Sequence, residues 1–372
     1  MNTLELFKTL VAIPSVFPEE KQISQFLVQY LKKIGFSVAT VQTETKGRNN
    51  IVATYGKAKK YLAFYGHMDT VPADPTRTNP FHVRMKGNQA WGVGTEDMKG
   101  AIAAILKTGE YAVDHDLPMK IVFCVDEEHI SQGAHDVVDS GLLHDVDFMI
   151  AMESGQVTDI TKPFSALLGR KGRILFEMVV SGKRAHAAER HKGINAIEQA
   201  AHMVRLMTDL RFAKHPLLGT TDVVIHSIHG EIDSFSIPDR CVVQFSLLTT
   251  PNVTSQAFQR KVIALAKQNG ITISLAPVTR KTPYGDSYAT AKNHSFVRVL
   301  QSRIFKPNGV IPFYTSSVAD ENIFANRLHV PVVSLGPIGN GGHTKDEWVD
   351  IRSIVKVEEI YKEILVLYNT YQ

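Results

Sequence analysis

The side chains best suited to chemistry fall in five short segments far apart in the chain: Gly66-His67-Met68-Asp69, Glu96-Asp97-Met98-Lys99-Gly100, Asp126-Glu127-Glu128, Met152-Glu153 and Gly342-His343-Thr344. Chosen by type and context, they leave two histidines and three carboxylates. Neutral imidazole nitrogen and carboxylate oxygen suit zinc without any cysteine, and such a set is enough for two ions that share one bridging carboxylate. The chemistry implied is metal-assisted hydrolysis.

Each residue also has a plainer reading. His67 follows the apolar run Tyr61 to Tyr65 and has Asp69 two residues on, where a carboxylate can take the hydrogen bond of the second ring nitrogen and fix the tautomer. The same pair equally closes a strand end. Asp97 stands between Gly92-Val93-Gly94 and a helix expected from Lys99, so it is open to two roles, helix cap or metal bridge. Glu127 and Glu128 are adjacent like charges after a buried strand. Either they form a solvated loop pair, or Glu128 binds metal and Glu127 stays off it to act as general base. Glu153 and His343 say little singly, although Gly339-Asn340-Gly341-Gly342 before His343 makes a turn that permits close backbone approach. His186, in Arg184-Ala185-His186-Ala187-Ala188, reads on its own as an ordinary loop histidine.

The elements that must position these residues alternate between helical and strand-like periods, the pattern of an α/β layer structure with a parallel or mixed sheet. Leu4 to Leu10, Ile23 to Ile34 and Lys99 to Val113 are expected helices, with Gly35 capping the second. Phe36 to Val41, Asn50 to Tyr55, Tyr61 to Tyr65, Lys120 to Val125 and Phe148 to Met152 are expected strands. His67, Glu127-Glu128 and Glu153 each follow a strand, where ligands gather in open α/β sheets. From Gly172 the order becomes strand (Arg173 to Val180), helix (Ile194 to Leu210), strand (Asp222 to His229), strand (Arg240 to Leu248), helix (Ser255 to Gln268) and strand (Ile271 to Pro277). That is a ferredoxin-like βαββαβ unit, expected to be a domain over 172–278. The tail returns to the first pattern, with a helix near Val318 to Ala325, a strand at Val330 to Leu335 and a closing helix from Ile351 to Tyr368. A site that needs both His67 and His343 requires 279–372 to fold back onto 1–171, which makes the βαββαβ unit an insertion.

Composition narrows the partners. At 372 residues the chain exceeds what one hydrophobic core supports, which favours two domains. A net charge of +4 with no long run of one sign recommends neither nucleic acid nor a membrane surface. Cys124 and Cys241 both lie in apolar strand-like runs, so a disulfide is not expected and a reducing compartment fits. The start, Met1-Asn2-Thr3-Leu4-Glu5, has no basic leader, and apolar runs such as Ala101 to Leu106 are far shorter than the roughly 18 to 20 residues of a membrane span. A cytoplasmic location is expected.

In this order the residues resemble the M20 metallopeptidase and deacylase family, which includes acetylornithine deacetylase and succinyl-diaminopimelate desuccinylase. The resemblance rests on Gly66-His67-Met68-Asp69-Thr70-Val71-Pro72, Gly92-Val93-Gly94-Thr95-Glu96-Asp97-Met98-Lys99-Gly100, Asp126-Glu127-Glu128, Glu153, His186 with the later Gly193-Ile194-Asn195-Ala196, and His343-Thr344-Lys345-Asp346-Glu347. It implies a zinc-exopeptidase-like α/β/α sandwich with an inserted lid and dimerisation domain. It implies two Zn2+ ions, replaceable by Co2+, with His67 and Glu153 on one, Glu128 and His343 on the other, and Asp97 between them. Glu127 becomes the general acid and base, Asp69 the partner of His67, and His186 a donor to the scissile carbonyl, often across a homodimer. The implied substrate is a small N-acyl amino acid, acetylated or succinylated. The alternatives are a dipeptidase or carboxypeptidase acting on short peptides, and a non-catalytic binding protein of the same fold.

Three places depart from the family pattern. Ala185 stands where a glycine usually precedes the lid histidine, and Ser317-Val318-Ala319-Asp320 replaces a Gly-Thr-Ser-Asp-like stretch. Phe235 and Leu248 occupy positions where many relatives carry an Asn and an Arg near the substrate carboxylate. Lys171 and Arg240 are therefore the candidate substrate cations, with Arg173 a further basic residue in reach of that role.

Overall fold

The computed structural model describes residues 1–45, 47–152, 164–231 and 235–371. The chain divides into two compact units, one formed by Met1–Gly169, Thr290–Tyr314 and Ala319–Gln372, the other by Arg170–Ala289 and Thr315–Val318.

The chain begins with α1 (Thr3–Val11) and α2 (Lys21–Lys33). Asn2 and Glu5 form a reciprocal capping box on α1. Gly35, at φ 104°, closes α2 by donating to Lys32 O while Phe36 donates to Leu31 O, the two bonds of a Schellman motif. Then come β1 (Ser37–Gln42), β2 (Asn49–Tyr55), β3 (Tyr61–His67), the hairpin of β4 (Arg84–Lys86) and β5 (Gln89–Trp91), α3 (Gly100–Asp114), β6 (Met119–Cys124), α4 (Gln132–Asp139), β7 (Val146–Ala151) and β8 (Ser165–Arg170). The second unit supplies β9 (Gly172–Ser181), α5 (Ala196–Thr208), β10 (Asp222–His229), β11 (Arg240–Thr249), α6 (Ser255–Gln268) and β12 (Thr272–Pro277). The chain then returns to the first unit with α7 (Ser295–Leu300), the strand Ile311–Thr315, whose last residue is counted with the second unit, α8 (Glu321–Leu328), the strand Val332–Ser334, two short strands Gly339–Asn340 and Trp348–Asp350, and α9 (Ile351–Tyr371).

The large sheet of the first unit runs β1-β2-β6-β3-β7, then Val332–Ser334 and β8. Its centre is parallel, with β6, β3, β7 and Val332–Ser334 all pointing one way, while β1, β2 and β8 are antiparallel to their neighbours. Every residue of β3 is buried, as a strand covered on both faces must be. Consecutive residues show the two faces: Phe64 packs on Tyr361 of α9, and Tyr65 on Phe324 of α8. The sheet is thus the middle of an α/β/α sandwich. A smaller sheet, Gly339–Asn340, Trp348–Asp350, β5 and β4, ties the chain's C-terminal region to the segment before α3.

The second unit is a four-stranded antiparallel sheet in the order β10-β11-β9-β12, the ferredoxin-like arrangement of its βαββαβ sequence. Its two helices bury Met203, Met207, Phe258 and Val262 with Phe176 and Phe245 of the sheet. Asn195 caps α5 by accepting from Ile197 N and Glu198 N, so this helix starts at Ala196.

The sequence placed a helix near Val318 to Ala325, whereas α8 starts at Glu321. Asp320 does not cap it; its carboxylate accepts the Tyr65 hydroxyl at 2.6 Å instead. Helix α4 and the smaller sheet were not expected, because Gln132–Asp139 has a glycine early and adjacent valines late in a short run, and strands of two or three residues carry no readable period. No described helix is long and apolar enough to cross a membrane, and Cys124 and Cys241 are both free and buried.

Helix α4 approaches the end of β6 where it leads to Asp126-Glu127-Glu128. A Cβ on Gly133 would lie 2.3 Å from Val125 O and 2.4 Å from Asn50 Oδ1, and Asn50 Oδ1 itself accepts Val125 N at 3.0 Å. Gly133→Ala should therefore lower unfolding stability by about 1–3 kcal/mol, measured by urea denaturation. An unchanged midpoint would show that this contact does not constrain the loop.

Candidate metal centre

Because β3, β6 and β7 are parallel neighbours, their carboxyl ends lie together. His67 ends β3 and stands beside Cys124, the last residue of β6. The chain after β6 turns sharply, with Asp126 at φ 72°, a conformation that non-glycine residues seldom adopt. Asp126 is held by Arg48 at 3.3 Å and accepts Gln132 N at 3.0 Å. Arg48 in turn makes two 2.7 Å bonds to Glu20, which is fully buried. This pair fixes where Glu127 and Glu128 begin.

Asp69 then orients both glutamates by accepting Glu127 N at 3.2 Å and Glu128 N at 2.9 Å. That adds a second task to the expected one of partnering His67. The second ring nitrogen of His67, Nδ1, lies 3.1 Å from the Asp69 main-chain oxygen and 3.6 Å from its carboxylate. The main-chain carbonyl is thus the nearer tautomer-fixing acceptor, since the carboxylate is drawn to the two N–H groups.

Asp97 lies in an irregular turn, Thr95–Lys99, between Gly94 at φ 74° and α3. It caps nothing: the residue at the N-cap of α3 is Lys99, with no side-chain cap bond. Lys99 is buried and donates to Ile13 O at 2.7 Å, and burial pushes its ammonium down to about 7. Asp97 Oδ1 lies 2.8 Å from His67 Nε2, and Oδ2 lies 3.3 Å from His343 Nε2. The Glu128 carboxylate is 3.0 Å from the same His343 nitrogen. Ligand atoms of His67, Asp97 and Glu128 all lie within 4.8 Å of one another.

His343 reaches this point because its preceding turn packs tightly against the Asp97 segment. A Cβ on Gly339 would meet Glu96 Cγ at 2.4 Å and Trp348 O at 2.5 Å, so only glycine fits there. His343 itself has φ 65°. Four residues on, buried Glu347 accepts Gly94 N and Glu96 N at 2.9 Å and Asp97 N at 3.2 Å. One carboxylate thereby ties the His343 loop to the Asp97 turn. The sequence reading passed over it as a role, and the only signal was an acidic residue shortly after a candidate histidine.

The electrostatics suit a cation. Asp97 and then Glu128 push the His343 imidazole up to about 10. Burial works against a charge on His67, but the neighbouring Asp69 and Asp97 carboxylates outweigh it and hold that imidazole well above its usual value. Burial would likewise raise Asp97, yet His343 and His67 keep its carboxyl well below the usual range. Burial pushes Glu347 up to about 7, the N–H groups it accepts pulling the other way. Imidazole nitrogens and carboxylate oxygens crowded this closely are the donor set of a borderline divalent metal ion, which replaces protons on the same groups. The residues present fit such an ion.

The remaining candidates are placed as follows. Glu153 lies outside the described residues. Glu127 is half-buried beside Glu128. His186, in the second unit, is exposed, and its Nδ1 accepts Ala188 N at 3.1 Å, which leaves Nε2 to carry the proton. Lys171 is buried, with its ammonium paired to Asp222. Arg240 is exposed at the start of β11.

Peptidase family M20/M25/M40 matches the chain over residues 63–366. The chain belongs to this family. It is accordingly a hydrolase acting on amide bonds. Over 98% of this M20 chain and 96% of the relative, it is 24% identical to succinyl-diaminopimelate desuccinylase of Rickettsia bellii (strain OSU 85-389). Its fold matches that of a tripeptidase from Staphylococcus aureus subsp. aureus Mu50, with TM-score 0.78, 22% identity and 98% of each chain covered. It also matches a dinuclear metal-binding peptidase of family M20 from Bacillus subtilis, with TM-score 0.73, 16% identity, and 99% and 98% of the two chains covered.

Two outcomes follow from this geometry. Glu347→Gln should keep the fold and weaken divalent-metal binding by about 10- to 100-fold, read by competition with a chromogenic chelator; undiminished affinity would remove Glu347 from the support of Asp97. In the metal-free chain, His343 binds its proton more tightly folded than unfolded, so its stabilisation is complete below the unfolded value near 6.5 and declines as pH rises toward about 10. Metal loading near pH 8 should therefore release protons, seen as a calorimetric heat that varies with buffer ionisation enthalpy. Equal heats in all buffers would contradict the protonated state assigned to the imidazoles.

Proposed function

We propose that the chain is a dinuclear zinc hydrolase that removes an acyl group from a small N-acyl amino acid. The observation that carries this reading is the Asp97 carboxylate lying between His67 Nε2 and His343 Nε2, with Glu128 also against His343. We assign His67 and Glu153 to one ion, Glu128 and His343 to the other, and Asp97 to both. When bound, zinc supplies Lewis acidity toward the amide carbonyl and makes water a stronger acid.

The chain's own groups do the rest. Glu127 has its main-chain nitrogen fixed by Asp69, and its neighbour Glu128 is the metal ligand, so the Glu127 carboxylate takes the proton of the attacking water and returns it to the departing amine. His186 donates from Nε2 to the carbonyl oxygen as negative charge develops there, the tautomer being the one favoured by the Ala188 N–H on Nδ1. We assign the second unit the role of carrying this donor and of forming a homodimer. Lys171 is buried and paired with Asp222, whereas Arg240 is exposed, so Arg240 is the better of the two candidate cations for a substrate carboxylate.

The acyl-amino-acid reading is supported by the desuccinylase named above, which aligns over nearly its whole length. The segments Gly92 to Gly100 and Ile228-His229-Gly230 also resemble acetylornithine deacetylase, so acetyl and succinyl substrates both belong in the test. The tripeptidase of similar fold makes short peptides the second reading.

The zinc- or cobalt-loaded protein should be assayed with acetyl-ornithine, acetyl-lysine, succinyl-diaminopimelate and di- and tripeptides. Activity confined to peptides would replace the deacylase reading. Glu127→Ala should retain metal and lose about 100- to 10,000-fold in kcat, whereas His67→Ala and Asp97→Ala should lose metal, measured by elemental analysis. Full turnover by Glu127→Ala would overturn the proton-transfer role.

A further inference from the structure

In the first unit a pocket of about 450 Å³ is lined by Arg77, Arg84, Lys345, His82 and Trp91 together with neutral residues of the 76–79 turn. Three fixed positive charges and no carboxylate form its wall. The nearby acidic groups lie off the lining: Glu347 accepts three main-chain N–H groups and acts with Asp346 on Arg77, and Asp74 accepts Thr76 N at 2.8 Å and acts on Lys345. Arg77 Nη2 donates to Glu347 O at 3.2 Å, but its Nη1 is buried with no acceptor among the described residues. The indole Nε1 of Trp91 is also a buried donor without an acceptor among them. A buried unpaired donor costs about 1–3 kcal/mol, and here two occur in the wall of one cationic pocket. The guanidinium of Arg84 lies 5.9 Å from the Trp91 ring, whose other neighbour is Trp348 at 6.4 Å.

We propose that this pocket binds a small molecule bearing an oxyanion, a carboxylate or phosphate group, with an apolar body against Trp91. Guanidinium forks and an ammonium match the two or three oxygens of such a group. The indole face accommodates carbon, and the volume suits a metabolite-sized ligand. Lys345 is two residues beyond His343, so the ligand would sit against the loop that carries this histidine. The site does not depend on the hydrolytic reading, because it is defined by residues that reading leaves unused.

Trp91 and Trp348 are the chain's only two tryptophans, so intrinsic fluorescence reports on this pocket. The metal-loaded full chain should be titrated with succinate and with inorganic phosphate at constant ionic strength, with neutral succinamide as control and calorimetry as a second measure of affinity. A saturable change is expected with one or both anions and none with succinamide; the tighter of the two identifies the preferred oxyanion. Arg84→Gln and Lys345→Gln should each weaken that affinity by about tenfold or more, and Arg84→Lys should weaken it less than Arg84→Gln. Both positions are exposed, so thermal midpoints should not move. No saturable change with either anion, or an affinity that survives both Gln variants because the anion has gone to the metal centre, would overturn the proposal.

Discussion

The Asp97 carboxylate sits 2.8 Å from one imidazole and 3.3 Å from another, and the surrounding structure is arranged to keep it there. His67 comes from a strand end, His343 from a loop near the C-terminus, and Asp97 from the turn before α3. Nothing local in the chain brings them together. The crowding of Asp69, Asp97 and Glu128 around two imidazoles would repel itself without positive charge, which is why both imidazoles are held in their charged form and why a divalent ion is the natural occupant.

The support for that contact is built from main-chain N–H groups and buried ion pairs. Asp69 holds two successive N–H groups at Glu127 and Glu128, and Glu347 holds three around Asp97. Arg48, clamped by Glu20, fixes Asp126 one residue before the glutamates. Each device orients backbone, so the candidate side chains are positioned at little further entropic cost. The uncommon backbone at Asp126 and His343, both at positive φ, is concentrated in the loops that deliver these groups, as is common at functional sites.

Much of this was legible in residue patterns. Tyr61 to Tyr65, Lys120 to Val125 and Phe148 to Met152 read as buried strands because fully covered parallel strands are continuous apolar runs, and the segments that follow them stood out as chemical. The βαββαβ order from Gly172 was visible because each element is long and periodic. Glu347 was not assigned a role, since an acceptor for main-chain N–H groups has no characteristic spacing. The split duty of Asp69, main-chain oxygen toward His67 and carboxylate toward Glu127 and Glu128, was hidden for the same reason: choosing between acceptors takes distances. The start of α8 was misplaced because the Asp320 carboxylate, a natural helix cap, is taken by Tyr65 from a distant strand.

By itself the sequence determined the family, the α/β class and which side chains are candidates for a metal, because side-chain chemistry and hydrophobic period are properties of short stretches. Only the tertiary structure decided that Asp97 faces two histidines instead of capping α3, that Glu128 meets His343, and that Arg77, Arg84 and Lys345 share one pocket. Those are relations between segments far apart in the chain. They depend on strand order, on glycine turns that allow close approach and on which buried acceptor each N–H finds, none of which a local pattern encodes.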